Sequence, residues 1–227
     1  MPQNSRSTPK GLRAKTLLTK ALETSFFQGE DPAIPHLLVP TKSRATLVLG
    51  ENASGKSFLR KIVQGLCQRY KMECMPLSME GRASSVPWSS LIYGAESFKS
   101  TGENSAYTVR KAIQTARGRT NPHVIYFDEP DIGLSESWAA GLGQMLAEFF
   151  QDLPEHTRAV YVVTHSRPLV EQLVPAKPNY LHLGIPAQKA PQSLQEWLSR
   201  PITPRDPSQL GEESHQLFKK IQALLKR

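Results

Sequence analysis

Cysteine is scarce in this 227-residue chain, with Cys67 and Cys74 the only two. That count excludes a disulfide framework and argues against a cysteine metal site, so a reducing, cytoplasmic home is expected. Long apolar runs are also missing. None approaches the ~18 residues that span a bilayer, and no membrane insertion is expected. The basic start, MPQNSRSTPKGLRAK, has no apolar stretch before a small-residue cleavage site, so it does not read as a secretory signal. Internal repeats are absent, and residues 79–98 are too few for a coiled-coil arm. Acidic residues are missing from one place in particular. Residues 1–20 hold five cations and no carboxylate, and residues 186–227 carry a further excess of +3, so the two ends account for the whole net charge of +8. Basic ends on a neutral centre suit an anionic partner, nucleic acid before membrane, although solvated cations also serve solubility.

Apolar and charged fractions are ordinary for a globular protein of this length. Three regions are expected: a basic extension with a helix over residues 1–24, a domain over 25–185, and a proline-rich linker with a basic helix over 186–227. Leu12, Leu17, Leu18 and Leu22 recur at helical spacing in GLRAKTLLTKALETSFF. GEDPAIPHLLVP reads as a connection or an irregular edge strand. Strand-like runs at 45–49, 72–78, 123–127, 159–165 and 179–184 alternate with helical patterns at 53–70, from Asn104 to about Arg117, 135–153 and 167–173. That alternation argues for an α/β fold with a mainly parallel sheet flanked by helices.

Between the strand ATLVL and the next helix lies Gly50-Glu51-Asn52-Ala53-Ser54-Gly55-Lys56-Ser57. It fits G-x-x-x-x-G-K-[ST], the P-loop. Glycines at both ends let the backbone N–H groups turn inward on phosphate, and the helix N-terminus adds partial positive charge. Lys56 would reach the β- and γ-phosphates, and the Ser57 hydroxyl would hold Mg²⁺. HVIYFDEP then places Asp128 at the C-terminal end of a buried strand, where it can hold Mg²⁺ through water. Glu129 follows as the group that polarises the attacking water. Asp-Glu-Pro could equally just end a strand in a turn, but the upstream loop in the same sheet favours chemistry.

From here the chain resembles the ATP-binding-cassette (ABC) ATPases. DEPDIGLS resembles the segment after their Walker B strand, and VVTHS puts His165 where that family has its switch histidine. Ser100-Thr101-Gly102-Glu103 stands where the family carries its signature loop. The resemblance implies that Ser100 and Gly102 grip the γ-phosphate of a nucleotide held by an opposite copy. As a cap before a helix, the same stretch also has a purely structural explanation. The likeness covers about residues 40–185. Lys99 departs from the usual leucine, Thr101 from a glycine or variable residue, and Ser135 from the D-loop aspartate. A glutamine loop is not visible. Phe26, Phe27 and His36 remain equal candidates to stack on adenine.

The features resemble the soluble, non-transporter branch of that family, as in recombination-repair, chromosome-maintenance, phage and defence ATPases. The expected activity is a Mg-dependent ATP hydrolase and P-loop NTPase acting as a head-to-tail homodimer on two ATP molecules. Its basic ends would engage nucleic acid or a partner protein. An ATP-gated regulatory subunit of an effector complex, with little turnover, is the alternative. A transporter subunit is less favoured, as is a small-substrate kinase, which lacks the Asp-Glu pair followed by a histidine.

Overall fold

The computed structural model describes residues 14–77 and 100–226. The expectations for residues 79–98, for Lys99 and for the cations before residue 14 fall outside them. Along the chain run α1 (Ala14–Leu22), β1 (His36–Val39), β2 (Ala45–Leu49), α2 (Lys56–Arg69) and β3 (Glu73–Leu77). After residue 100 come α3 (Thr101–Gly118), β4 (His123–Asp128), α4 (Glu136–Gln151), β5 (Thr157–Val163) and α5 (Arg167–Leu173). β6 (Asn179–Leu183), α6 (Leu194–Ser199) and α7 (Leu210–Leu225) follow.

The six strands form one sheet in the order β1-β6-β2-β5-β4-β3. All neighbours are parallel except β1, which pairs antiparallel with β6. The proline-bracketed run at 36–39 is therefore an edge strand, where missing N–H donors cost least. Every residue of β2 is buried, as expected for a parallel strand covered on both faces. Its side chains still alternate. Ala45, Leu47 and Leu49 meet the layer of α3, α4, α5 and α6, while Val48 meets that of α1, α2 and α7.

Most expected elements are present with shifted ends. α1 is shorter than the run 11–27, so Phe26 and Phe27 lie in the turn beyond it. α3 begins at Thr101 rather than Asn104 because Ser100 and Glu103 form a capping box. β5 stops at Val163, which leaves Thr164 and His165 in the loop that follows. No helix among the described residues is long and apolar enough to cross a membrane.

The strand order fixes the candidate site. β5 lies between β2 and β4, so three strand ends deliver their following residues side by side. After β2 the chain leaves for the far edge at β3, whereas after β5 it crosses β2 to reach β6. Such a divergence opens a crevice at the C-terminal ends of parallel strands.

Candidate functional site

The loop after β2 turns back on itself through positive φ at Gly50 (145°), Ala53 (58°) and Gly55 (95°). At Gly50 a side chain would also collide with its surroundings, since a Cβ there would lie 2.5 Å from the Leu183 carbonyl oxygen. Glycine is required by both space and conformation. Gly55 then caps α2, and Lys56 opens it.

Lys56 is buried at 7% exposure, and its Nζ donates to the carbonyls of Gly50 (3.0 Å) and Glu51 (2.6 Å). It also reaches the Ser54 hydroxyl at 3.4 Å, and a buried ammonium whose direct partners are all neutral is poorly compensated. Burial pushes its pKa down to about 8, against the pull of Glu129, Glu51 and Asp128. The group is charged at neutral pH and suited to an anionic ligand. Ser57, in the first turn of α2, is exposed and lines a cavity with Lys56.

β4 ends at Asp128, whose Oδ2 lies 3.5 Å from Nε of Arg60 on α2. Arg60 was not singled out from the sequence. The only signal is its place one helical turn beyond Lys56, which points both side chains to one face. Tyr126 is a second unforeseen support. Its hydroxyl donates to the Lys56 carbonyl at 3.2 Å, tying the start of α2 to β4.

Glu129 adopts φ +53°, a left-handed conformation that costs a non-glycine residue on the order of 1–3 kcal/mol. The Glu129 N–H donates to the Val163 carbonyl at 2.9 Å, which holds this turn against β5. Burial, and then the Asp128 charge, raise the Glu129 carboxyl above its ordinary range, while Lys56 opposes them. Its Oε1 lies 3.7 Å from Nε2 of His165. Burial first, and then Lys56, push His165 down to about 4, so its imidazole is neutral at pH 7 and this contact is not an ion pair. Thr164 donates to Asp131 at 2.7 Å and so couples the loops after β4 and β5. Neither residue was foreseen from the sequence.

Of the cavities that border the loop, two also reach the Asp128–Glu129 carboxylates or His165. One, of about 360 Å³, runs from Asn52–Ser57, Asp128 and Glu129 over Phe58 and Lys61 to the C-terminal helix α7. The other, of about 750 Å³, lies beside Glu51, Asp131 and His165 and is bordered by Arg167, Arg200 and Arg205. These arginines are engaged: Arg205 pairs with Glu213, Arg200 lies 3.8 Å over the Trp197 ring, and Arg167 donates to the Arg200 carbonyl.

Ser100 and Gly102 line neither cavity. The Ser100 Oγ accepts from the Glu103 N–H at 3.3 Å, and Glu103 returns a bond to the Ser100 N–H at 2.8 Å. Gly102 is buried, and a Cβ there would lie 2.6 Å from the Gly133 carbonyl oxygen. Close packing of α3 against the loop after Glu129 is a sufficient reason for glycine. Ser135, for its part, is the N-cap residue of α4.

The three candidate base-stacking groups separate. Phe27 is 2% exposed and belongs to the packed layer, and the half-buried His36 lies edge-on to it at 5.7 Å. Phe26 packs edge-on to Phe58 at 4.8 Å. None of the three lines either cavity, whereas Phe58 does.

The site thus joins a tight backbone turn, a buried cation, two adjacent carboxylates and a neutral imidazole. Its residues fit a magnesium–nucleotide. Mg²⁺ commonly takes one or two protein oxygens and draws the rest from phosphates and water, and Asp128 and Ser57 face one cavity. Comparisons of the chain with models of protein families, with curated proteins and with solved structures give no match.

Proposed function

We propose that the chain is a Mg-dependent ATP hydrolase of the P-loop type, similar to the soluble branch of the ABC ATPases. One observation carries this reading. The strand between β2 and β4 brings His165 to within 3.7 Å of Glu129, while Lys56 fills the turn on the neighbouring strand.

In this reading Lys56 leaves the Gly50 and Glu51 carbonyls and donates to the β- and γ-phosphates. Ser57 and Asp128 would hold Mg²⁺, which would neutralise charge on the phosphate oxygens. Arg60 positions the Asp128 carboxylate from α2. Glu129, raised in pKa by burial, accepts a proton from the attacking water. Oxygen bonds to the γ-phosphorus, the bond to the β-phosphate oxygen breaks, and ADP leaves with the electron pair. Neutral His165 positions the water and the γ-phosphate.

The working form we propose is a head-to-tail dimer in which Ser100 and Gly102 of one copy meet the nucleotide of the other. The larger cavity lies beside His165, whereas residues of α7 line the smaller one. Basic residues at the ends of the chain would engage nucleic acid.

The variant Glu129→Gln tests the scheme. Hydrolysis should fall by at least ~100-fold while ATP still binds. Saturating ATP should convert the variant from monomer to dimer in sedimentation, and the locked form should bind duplex DNA with an affinity that falls as salt rises. A monomer under saturating ATP would remove the dimer, and undiminished hydrolysis would remove Glu129 as the base.

A further inference from the structure

The smaller cavity has two chemically different linings, and the second is built in part by the C-terminal helix. Lys56, Ser57 and the Asp128–Glu129 pair offer charge. Phe58 of α2 and Leu217 and Phe218 of α7 line the same cavity and offer apolar surface. Lys61, one turn along α2 from Phe58, lies on the same wall. A volume of about 360 Å³ falls within the usual range of ligand cavities, roughly 300–1,000 Å³.

α7 is anchored by one face. Ile221 is buried at 6% exposure, and Leu217 and Leu224 pack partly beside it on the α2 layer. These positions repeat at four and three residues, the spacing of a single helical stripe. Phe218 stands next to that stripe yet remains 53% exposed. Core packing therefore does not account for it. A large aromatic ring at the mouth of a cavity, on a helix packed through Ile221, is a stacking surface awaiting a flat partner. Phe58 is braced from behind by the edge of Phe26.

We infer that Phe218 and Phe58 form the nucleobase wall of the site, so that the C-terminal helix supplies base recognition within the same chain. The inference rests on the nucleotide reading above. The occupant is fixed by continuity, because the aromatic and the charged residues line one cavity. A ligand bearing several phosphates at one extremity and a flat heteroaromatic ring at the other satisfies both.

The experiment compares Mg-ATP with Mg-tripolyphosphate, which keeps the phosphates and lacks the base. Both are titrated calorimetrically into the full chain and into Phe218→Ala, Phe218→Trp and Leu225→Ala. Phe218→Ala should weaken ATP about 10-fold or more, the scale of one lost stacking contact, and leave tripolyphosphate within about twofold. Phe218→Trp should restore ATP binding. Leu225 is an exposed residue of the same helix, so Leu225→Ala should change neither ligand.

Equal weakening of both ligands by Phe218→Ala, or no weakening of ATP, overturns the wall. If the unaltered chain binds tripolyphosphate and ATP equally, the phosphate cradle stands and the wall falls alone. If it binds neither, the nucleotide reading falls and takes the wall with it.

Discussion

Two residues of the candidate site sit in unfavourable local settings. Glu129 keeps a left-handed backbone, and Lys56 keeps an ammonium in a buried turn. Both conditions persist because neighbours hold them: the Val163 carbonyl for Glu129, and the Gly50 and Glu51 carbonyls for Lys56. The Lys56 shift gives a prediction at this scale. Its pKa in the free protein is about 8, below the ordinary 10.5, so the proton is lost as pH rises through 8. Each further pH unit lowers the charged fraction about tenfold, and polyphosphate affinity should fall with it. Calorimetric titration with Mg-ATP from pH 7 to pH 10 checks this. A flat affinity across pH 8–9.5 would show that Lys56 keeps its proton or does not touch phosphate.

Among the elements, α3 separates a structural from a catalytic use of the same residues. Its first turn is locked by the capping box, by Ser105 donating to the Ile132 carbonyl at 2.8 Å, and by the tight approach of Gly102 to Gly133. The loop it braces begins at Glu129. Gly102→Ala should therefore force α3 off that loop and destabilise the fold by about 1–3 kcal/mol. For a chain of this size each kcal/mol lowers Tm by about 2–4 °C. Thermal unfolding of the monomer without nucleotide is the readout. If Tm is unchanged and only ATP-driven association suffers, Gly102 acts across a dimer interface rather than within the chain. The Arg60–Asp128 contact likewise joins two elements, α2 and β4, and sets the carboxylate beside Ser57 and Lys56.

Across the whole molecule, histidines held below their ordinary pKa make the fold sensitive to acid: desolvation lowers His36 and His123, the partly exposed His165 and the buried His182. His165 follows β5 and His182 lies in β6, and burial pushes each down to about 4. In the unfolded chain both titrate near 6.5. As pH falls from about 6.5 toward 4 the unfolded state takes up protons that the native state refuses, so stability declines through that window. Glu129 and Asp131 act in the opposite direction. Their carboxyls are raised in the native state, which then gains protons ahead of the unfolded chain near the acid end of the window. Denaturant midpoints at pH 7, 5.5 and 4.5 should fall in that order, and His182→Gln should flatten the slope. His182 is the clearer of the two, at 5% exposure with no hydrogen-bond partner for its Nδ1 among the described residues.

The local code of the chain determined a good deal by itself. The run ATLVL followed by glycines and Gly55-Lys56-Ser57 specifies a strand, a tight turn and a helix start, because each depends on neighbours a few residues away. HVIYF before Asp128 and AVYVV before Thr164 specify buried strands for the same reason, and Ser100 with Glu103 specifies a helix cap. Tertiary structure alone decided that β5 lies between β2 and β4, which sets His165 beside Glu129. It also decided that Arg60 meets Asp128, that Gly102 meets Gly133, and that α7 lines a cavity with the loop it follows by about 150 residues. These depend on which apolar faces bury one another across the sheet. That is a contest among distant segments, and no short window of sequence contains it.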